Sequence, residues 1–246
     1  MAESIGKQFM RQTCYDELET SAQSQGVPQP PLVLPLPPGA QLIALPAVSD
    51  LPRPALDLRS AIEQRRSLRR YAAAGLSLDE LAFLLWCTQG VKRVTDRPVT
   101  FRNVPSAGAR HAFETMILAN RVAGLEPGLY RYAALEHALL PVDLSADVAE
   151  RATHACHDQE MIGLGATSFF WVAVVERMKW RYGERGYRYL HLDAGHVCQN
   201  LYLAAEAIGC GACAVAAFDD EQLNQVLGAD GEALFAIYAA ALGKRE

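Results

Sequence analysis

Nine of the 13 prolines fall between Pro28 and Pro54, and no helix or interior strand can be built through them. A proline lacks the amide that a helix or a sheet ladder uses, and its ring holds φ near about −65°. Residues 29–38 alternate proline with Leu32, Val33, Leu34 and Leu36 rather than with serine or glutamine. Such a run is extended. Its large apolar side chains suit an arm laid over a hydrophobic surface, of its own domain or of a partner subunit. A disordered tail is the other reading. Residues 1–56 are therefore expected to form an extended arm, and residues 57–246 the compact domain.

From Asp57 onward the pattern changes. Leu58, Ala61, Ile62 and Arg65 recur at helical spacing. Ser77 and Glu80 form a capping box for a helix over 78–89, with Leu81, Leu84, Leu85 and Thr88 inward and Gly90 as its stop. Residues 91–104 are basic and polar and predict a loop. Short strands are expected at 115–120, 129–133 and 138–142, and Ser145 is expected to cap a helix reaching about residue 157. Residues 168–175 have the length and β-branched content of a buried strand. After a charged, aromatic stretch at 176–186, a long helix is expected over 187–208, with a stripe at Leu190, Ala194, Val197, Leu201, Ala204, Ala205 and Ile208. A strand at 212–217, a short helix capped by Asp219 and a final strand at 232–242 complete the domain. Helices and strands interleave without a strict βα repeat, which argues for an α+β fold with helices on both faces of one sheet.

Composition excludes several roles. The net charge is −5, so a nucleic-acid surface is not expected. The first twenty residues carry Glu3, Lys7, Arg11, Asp16, Glu17 and Glu19 and no apolar signal core. The longest apolar runs are too short to span a bilayer. No membrane partner is expected, and the expected location is the cytoplasm. Cys210 and Cys213 form a C-x-x-C, but no second pair accompanies it and it leads into an apolar strand. Neither a redox pair nor a metal site is favoured.

Three stretches bear ligand chemistry. In Arg65-Arg66-Ser67-Leu68-Arg69-Arg70-Tyr71, Arg65 and Arg69 are four apart and would share a helix face. Guanidinium forks beside a hydroxyl suit a phosphate; a solvated, basic last helical turn fits the same residues. Pro105, Ser106, Ala107 and Gly108 form a small-residue turn whose amides can approach something flat. Residues 209–217 are similar, and Lys244 and Arg245 follow the last strand. No Walker lysine, G-x-G-x-x-G or G-x-S-x-G is present. A ligand with a phosphate and a flat apolar part, such as FMN, matches these stretches.

In this order, Arg-Arg-Ser-x-Arg-x-Tyr, Pro-Ser-Ala-Gly-Ala, Tyr182-Gly-Glu-Arg-Gly-Tyr-Arg-Tyr189 with Asp193-Ala-Gly-His196, and residues 211–220 resemble the nitroreductase superfamily, and within it the SagB-type dehydrogenases. The resemblance implies a central, mostly antiparallel sheet flanked by helices. It implies a homodimer with FMN at the subunit interface, two-electron transfer through flavin N5, and NAD(P)H as a candidate donor. By position, Arg65, Arg66 and Ser67 would hold the phosphate, helped by Lys244 or Arg245, and Arg69 would lie near flavin N1 and O2. Pro105, Ser106, Ala107 and Gly108 would line the ring, with Asn103 beside it. Ala216 would donate its amide to N5, and Ala217 follows it. Tyr182 and Arg188 are candidates to shape the pocket of a small-molecule or peptide substrate. Azoline-forming relatives are expected to use a lysine–tyrosine pair; here Arg181-Tyr182 stands in that place. An arginine stays protonated and cannot act as a base, which weighs against peptide azoline oxidation. A peptide dehydrogenase working with a partner protein and a non-catalytic flavin binder remain the alternatives.

Overall fold

Alternation along one central strand divides the core in two. The computed structural model describes residues 3–97 and 99–246, so Met1, Ala2 and Pro98, which fall in the expected arm and the expected 91–104 loop, lie outside it. The strands are β1 (Ile43–Ala44), β2 (Val91–Val94), β3 (Thr100–Arg102), β4 (Phe113–Ala119), β5 (Gly128–Ala133), β6 (Ala138–Asp143), β7 (Thr167–Val174), β8 (Cys210–Val215) and β9 (Leu234–Lys244). The helices are α1 (Ile5–Gln12), α2 (Leu58–Gln64), α3 (Leu78–Gln89), α4 (Val148–Ala155), α5 (Met161–Leu164), α6 (Val175–Tyr182), α7 (Gly186–Ala207) and α8 (Asp220–Leu227). On β7, Phe169, Trp171 and Ala173 face one apolar cluster, while Phe170 and Val172 face the other, because successive strand side chains point to opposite sides.

Seven strands form one antiparallel sheet in the order β1-β6-β5-β4-β7-β9-β8. Helices α3, α6 and α7 contribute to the first cluster, and α4, α5 and α8 to the second. This is the α+β sandwich that the element pattern predicts. The capping box at Ser77 and Glu80 is formed in both directions and opens α3. The Asp219 carboxylate accepts from the Gln222 amide to open α8, and Gly228 closes it in the left-handed region.

Four expectations are corrected. Residues 91–104 hold the β2–β3 hairpin, whose two strands satisfy each other's amides apart from the main sheet. The stretch at 176–186 is mostly α6, which follows β7 directly and buries Val175, Arg177, Met178 and Trp180. Helix α4 starts at Val148 rather than near Ser145, whose carbonyl, not its hydroxyl, receives the Val148 amide. Helix α1, at the start of the arm, has no counterpart in the sequence reading.

The arm runs along its own domain. Trp180 accepts from the Gln23 amide at 2.8 Å and donates its indole N–H to Val27 O at 2.7 Å. Arg177 donates to Pro31 O and Arg131 to Pro35 O, each at 2.9 Å. The Leu34 amide donates to Glu114 at 2.9 Å. Prolines offer carbonyls without amides, so the domain supplies donors to Pro31 and Pro35. Strand β1 then pairs with β6.

Candidate active site

The basic stretch is held by the sheet edge, not by a helix. Asp57 caps α2 by accepting from the Ser60 amide, and α2 stops at Gln64; Arg65, at φ −53° and ψ 125°, has left the helical region. The chain then runs beside β8. Ser67 forms a parallel bridge with Ala212, and the Leu68 amide donates to Ala212 O at 2.9 Å. The shared helix face expected for Arg65 and Arg69 is therefore absent: pairing with an open strand edge outweighs one more helical turn.

Two glycines make room for this crossing. Gly211 on β8 and Gly243 on β9 are register partners. A Cβ at 211 would lie 2.2 Å from Leu68 Cδ1, and one at 243 would lie 2.7 Å from Tyr71 Cβ. Leu68 and Tyr71 thus sit in a slot that only side-chain-free positions leave open. The Tyr71 hydroxyl locks the segment by donating to Leu68 O at 2.7 Å and Ala241 O at 3.0 Å.

An open cleft of about 760 Å³ results, lined by Arg66, Ser67, Arg69, Arg70 and Arg245, with Glu63 and Glu246 as its acids. Among the described residues, Arg66, Arg69 and Arg70 have no carboxylate within ion-pair distance of 4.0 Å, whereas Arg245 pairs with Glu206 and donates to Cys210 O at 3.2 Å. Lys244 does not line the cleft. Its ammonium pairs with Glu80 of the capping box and reaches Ile208 O at 3.3 Å. Neighbouring residues at a strand end point to opposite sides, so only one of the two terminal cations reaches the cleft.

Tyr202 on α7 ties the stretch to β8. Its hydroxyl meets Ser67 Oγ at 3.0 Å and accepts from the Ala214 amide at 2.8 Å, and the Arg65 guanidinium lies 5.2 Å from its ring centroid. Such a contact between a cation and a ring face is attractive. The sequence reading missed Tyr202, because an aromatic beside the apolar stripe of a long helix has the signature of an ordinary core residue.

The other candidates do not line this cleft. Ser106 Oγ accepts from the His111 amide at 2.9 Å, and the Ala107 amide donates to both Asp193 oxygens at 3.2 Å. Burial raises the Asp193 pKa above the usual carboxylate value. Pro105 is exposed. Gly108 has φ +55°, and a Cβ there would lie 2.5 Å from Tyr182 Oη. Asn103 donates to Trp86 O at 2.8 Å. Ala216 and Ala217 are exposed just beyond β8. Tyr182 packs edge-on to Tyr189 at 4.7 Å, and the Arg188 guanidinium binds Thr13 Oγ1 and Met10 O of the N-terminal segment. Cys210 joins the first apolar cluster and Cys213 the second, so the C-x-x-C points to both faces of the sheet and cannot close on one atom.

Among known proteins, the Nitroreductase family model matches residues 62–244. A nitroreductase-like protein of Methanocaldococcus jannaschii is 34% identical over 185 residues, covering 75% of this chain and 88% of that protein. The trifolitoxin-processing protein TfxB of Rhizobium leguminosarum bv. trifolii is 32% identical over 111 residues, 43% of this chain and 30% of TfxB. A solved nitroreductase-like structure from Anabaena variabilis superposes with a TM-score of 0.64 at 33% identity, covering 76% of this chain but only 37% of that one. With six of the seven strands of its antiparallel sheet, its basic stretch and its last strand inside the matched span, the chain belongs to the nitroreductase family of oxidoreductases.

Proposed function

We propose that the chain is an FMN-dependent oxidoreductase acting as a homodimer with shared flavin sites. The observation that carries this is the cleft of Arg66, Arg69 and Arg70, cations without carboxylate partners beside Ser67. A dianionic phosphate answers such a cleft, because arginine forks bind its oxygens bidentately. Bound FMN would supply two-electron hydride chemistry at N5. In this reading Arg66, Ser67 and Arg245 hold the phosphate. Arg65 is steadied on Tyr202, and Arg69 faces the ring pole where negative charge develops on reduction. Ala216 and Ala217 offer backbone contacts at the end of β8. Residues 105–108 line no part of their own chain's cleft, so their contact with the ring falls to a second copy. NAD(P)H is the proposed donor.

Titration of flavin-free protein with FMN, followed by fluorescence quenching, tests this. The expected result is one FMN per chain, with Arg66→Ala or Arg69→Ala weakening binding by about tenfold or more, roughly 1.4 kcal/mol. Protein that stays colourless and leaves FMN fluorescence unchanged sinks the proposal. The likeness to a trifolitoxin-processing protein favours a second reading, a peptide substrate delivered by a partner. The Arg181-Tyr182 departure weighs against azoline oxidation. Reduction of the loaded protein by NAD(P)H and reoxidation by a quinone or nitroaromatic would favour the small-molecule reading, and no turnover with either would leave a flavin carrier.

A further inference from the structure

Two side chains packed on the turn at 105–108 are left unused by the proposed FMN contacts. A Cβ at Gly108 would lie 2.5 Å from Tyr182 Oη and 2.9 Å from both Cδ and Nε of Arg181. Arg181 and Tyr182 end α6, so the helix brings a guanidinium and a phenol onto the turn, and a glycine leaves them room. The Arg181 guanidinium lies 5.6 Å from the Tyr182 ring centroid, a cation steadied against a ring face.

Neither polar group is spent. Among the described residues Arg181 has no carboxylate within 4.0 Å, and neither side chain makes a hydrogen bond. By contrast Lys179 pairs with Glu184 at 2.8 Å, and Arg185 donates to Tyr189 Oη at 2.9 Å. Arg181 is exposed and Tyr182 half-buried, so both can be reached by a ligand. Asp193, the carboxylate beneath the turn, is buried and accepts from the Ala107 amide with both oxygens. Arg110 donates to Gly108 O at 3.0 Å and lies over Trp180. It is not free to bind a ligand, but its charge stands behind the turn. Burial lowers the Arg110 pKa, and the Arg181 charge lowers it further, so the two cations share one field. A group docking here meets a guanidinium fork and a free hydroxyl. A cation is repelled, a neutral group uses the fork poorly, and a carboxylate matches it with two oxygens.

We propose that Arg181, with Tyr182, anchors the carboxylate of an anionic substrate beside the turn at 105–108 and so selects carboxylate-bearing electron acceptors over neutral ones. The proposal rests on the flavin reading, which gives that turn to the ring. It assigns Arg181 no proton transfer, because a guanidinium stays protonated.

The probe is labelled benzoate, dialysed to equilibrium against the full-length, FMN-loaded protein. Saturable binding is expected, weakened about five- to tenfold in Arg181→Gln and partly restored in Arg181→Lys, which keeps the charge without the fork. Added salt should weaken it too, since Arg181 is exposed. Kinetics give a second reading. Flavin reduced with dithionite is mixed with 4-nitrobenzoate or with 4-nitrobenzyl alcohol, each drawing two electrons from it. The ratio of the two reoxidation rate constants should fall about five- to tenfold in Arg181→Gln. The two acceptors differ in ring electronics, so the change in the ratio is what counts. An arginine that only complements the last turn of α6 would move Tm and leave the ratio alone. Protein that takes up no FMN overturns the flavin reading and this proposal with it. Loaded protein that binds no benzoate, or whose ratio Arg181→Gln leaves unchanged, overturns this proposal alone.

Discussion

Removing a single oxygen from Tyr202 tests how the basic stretch is held. The hydroxyl joins Ser67 to the Ala214 amide, while the ring carries Arg65. Tyr202→Phe keeps the ring and leaves the Ala214 amide without its acceptor. Stability should fall by about 1 kcal/mol, the net loss of one hydrogen bond to a half-buried donor, read as a lower urea midpoint; an unchanged midpoint would show that the hydroxyl is dispensable. Two histidines set an acid limit. Burial, with Arg102 and Arg110 nearby, pushes His111 down to about 3, and burial also lowers His137. His137 lies between the Tyr132 hydroxyl at 2.8 Å and Pro46 O at 3.1 Å, an arrangement that suits the neutral ring. In the unfolded chain both titrate near about 6.5. Below that pH the unfolded chain takes up protons that the folded chain refuses, so stability is full above about 6.5 and declines as pH falls toward the folded values. A Tm that stays flat from pH 7.5 down to pH 4.5 would contradict this. None of these contacts is legible as such in the sequence, because each joins residues that only the tertiary fold makes neighbours.

At the scale of elements, the signals that survived are those written locally. The Ser77–Glu80 box and the Asp219 cap each span only four residues, and both helices open where expected. Ser77→Ala should lower stability by about 0.5–2 kcal/mol in thermal denaturation. The basic stretch went the other way. Its helical spacing was real, yet the edge of β8 offered hydrogen bonds that Arg65 to Arg69 could not obtain from a further turn. Helix α6 was hidden because Arg177 is buried under the arm, so its inward face does not read as apolar. Hairpin β2–β3 was hidden by its charge. Gly211→Ala tests the slot directly. The new methyl meets Leu68 and must push it aside. A loss of about 1–3 kcal/mol is expected, with FMN affinity falling in step if the flavin reading holds. Full stability with normal FMN binding would show that the slot is not needed.

At the scale of the molecule, the α+β class and both helical faces of the sheet were legible, since hydrophobic period and strand length report them without long-range knowledge. The strand order was not, because it depends on pairings such as β7 with β9 across intervening helices. The proposed dimer gives a concentration test. If residues 105–108 of a second copy complete the flavin site, dilution that splits the dimer should release FMN, with sedimentation and flavin fluorescence changing at the same protein concentration. Flavin retained by a monomer would oppose it.

The crossing over Gly211 and Gly243 also bears on the order of events in synthesis. The arginines leave the ribosome early, but the strands on which they rest emerge among the last parts of the described chain. A nascent chain carries the charges with no floor beneath them, so the anion capture proposed for this cleft must wait until β8 and β9 are in place.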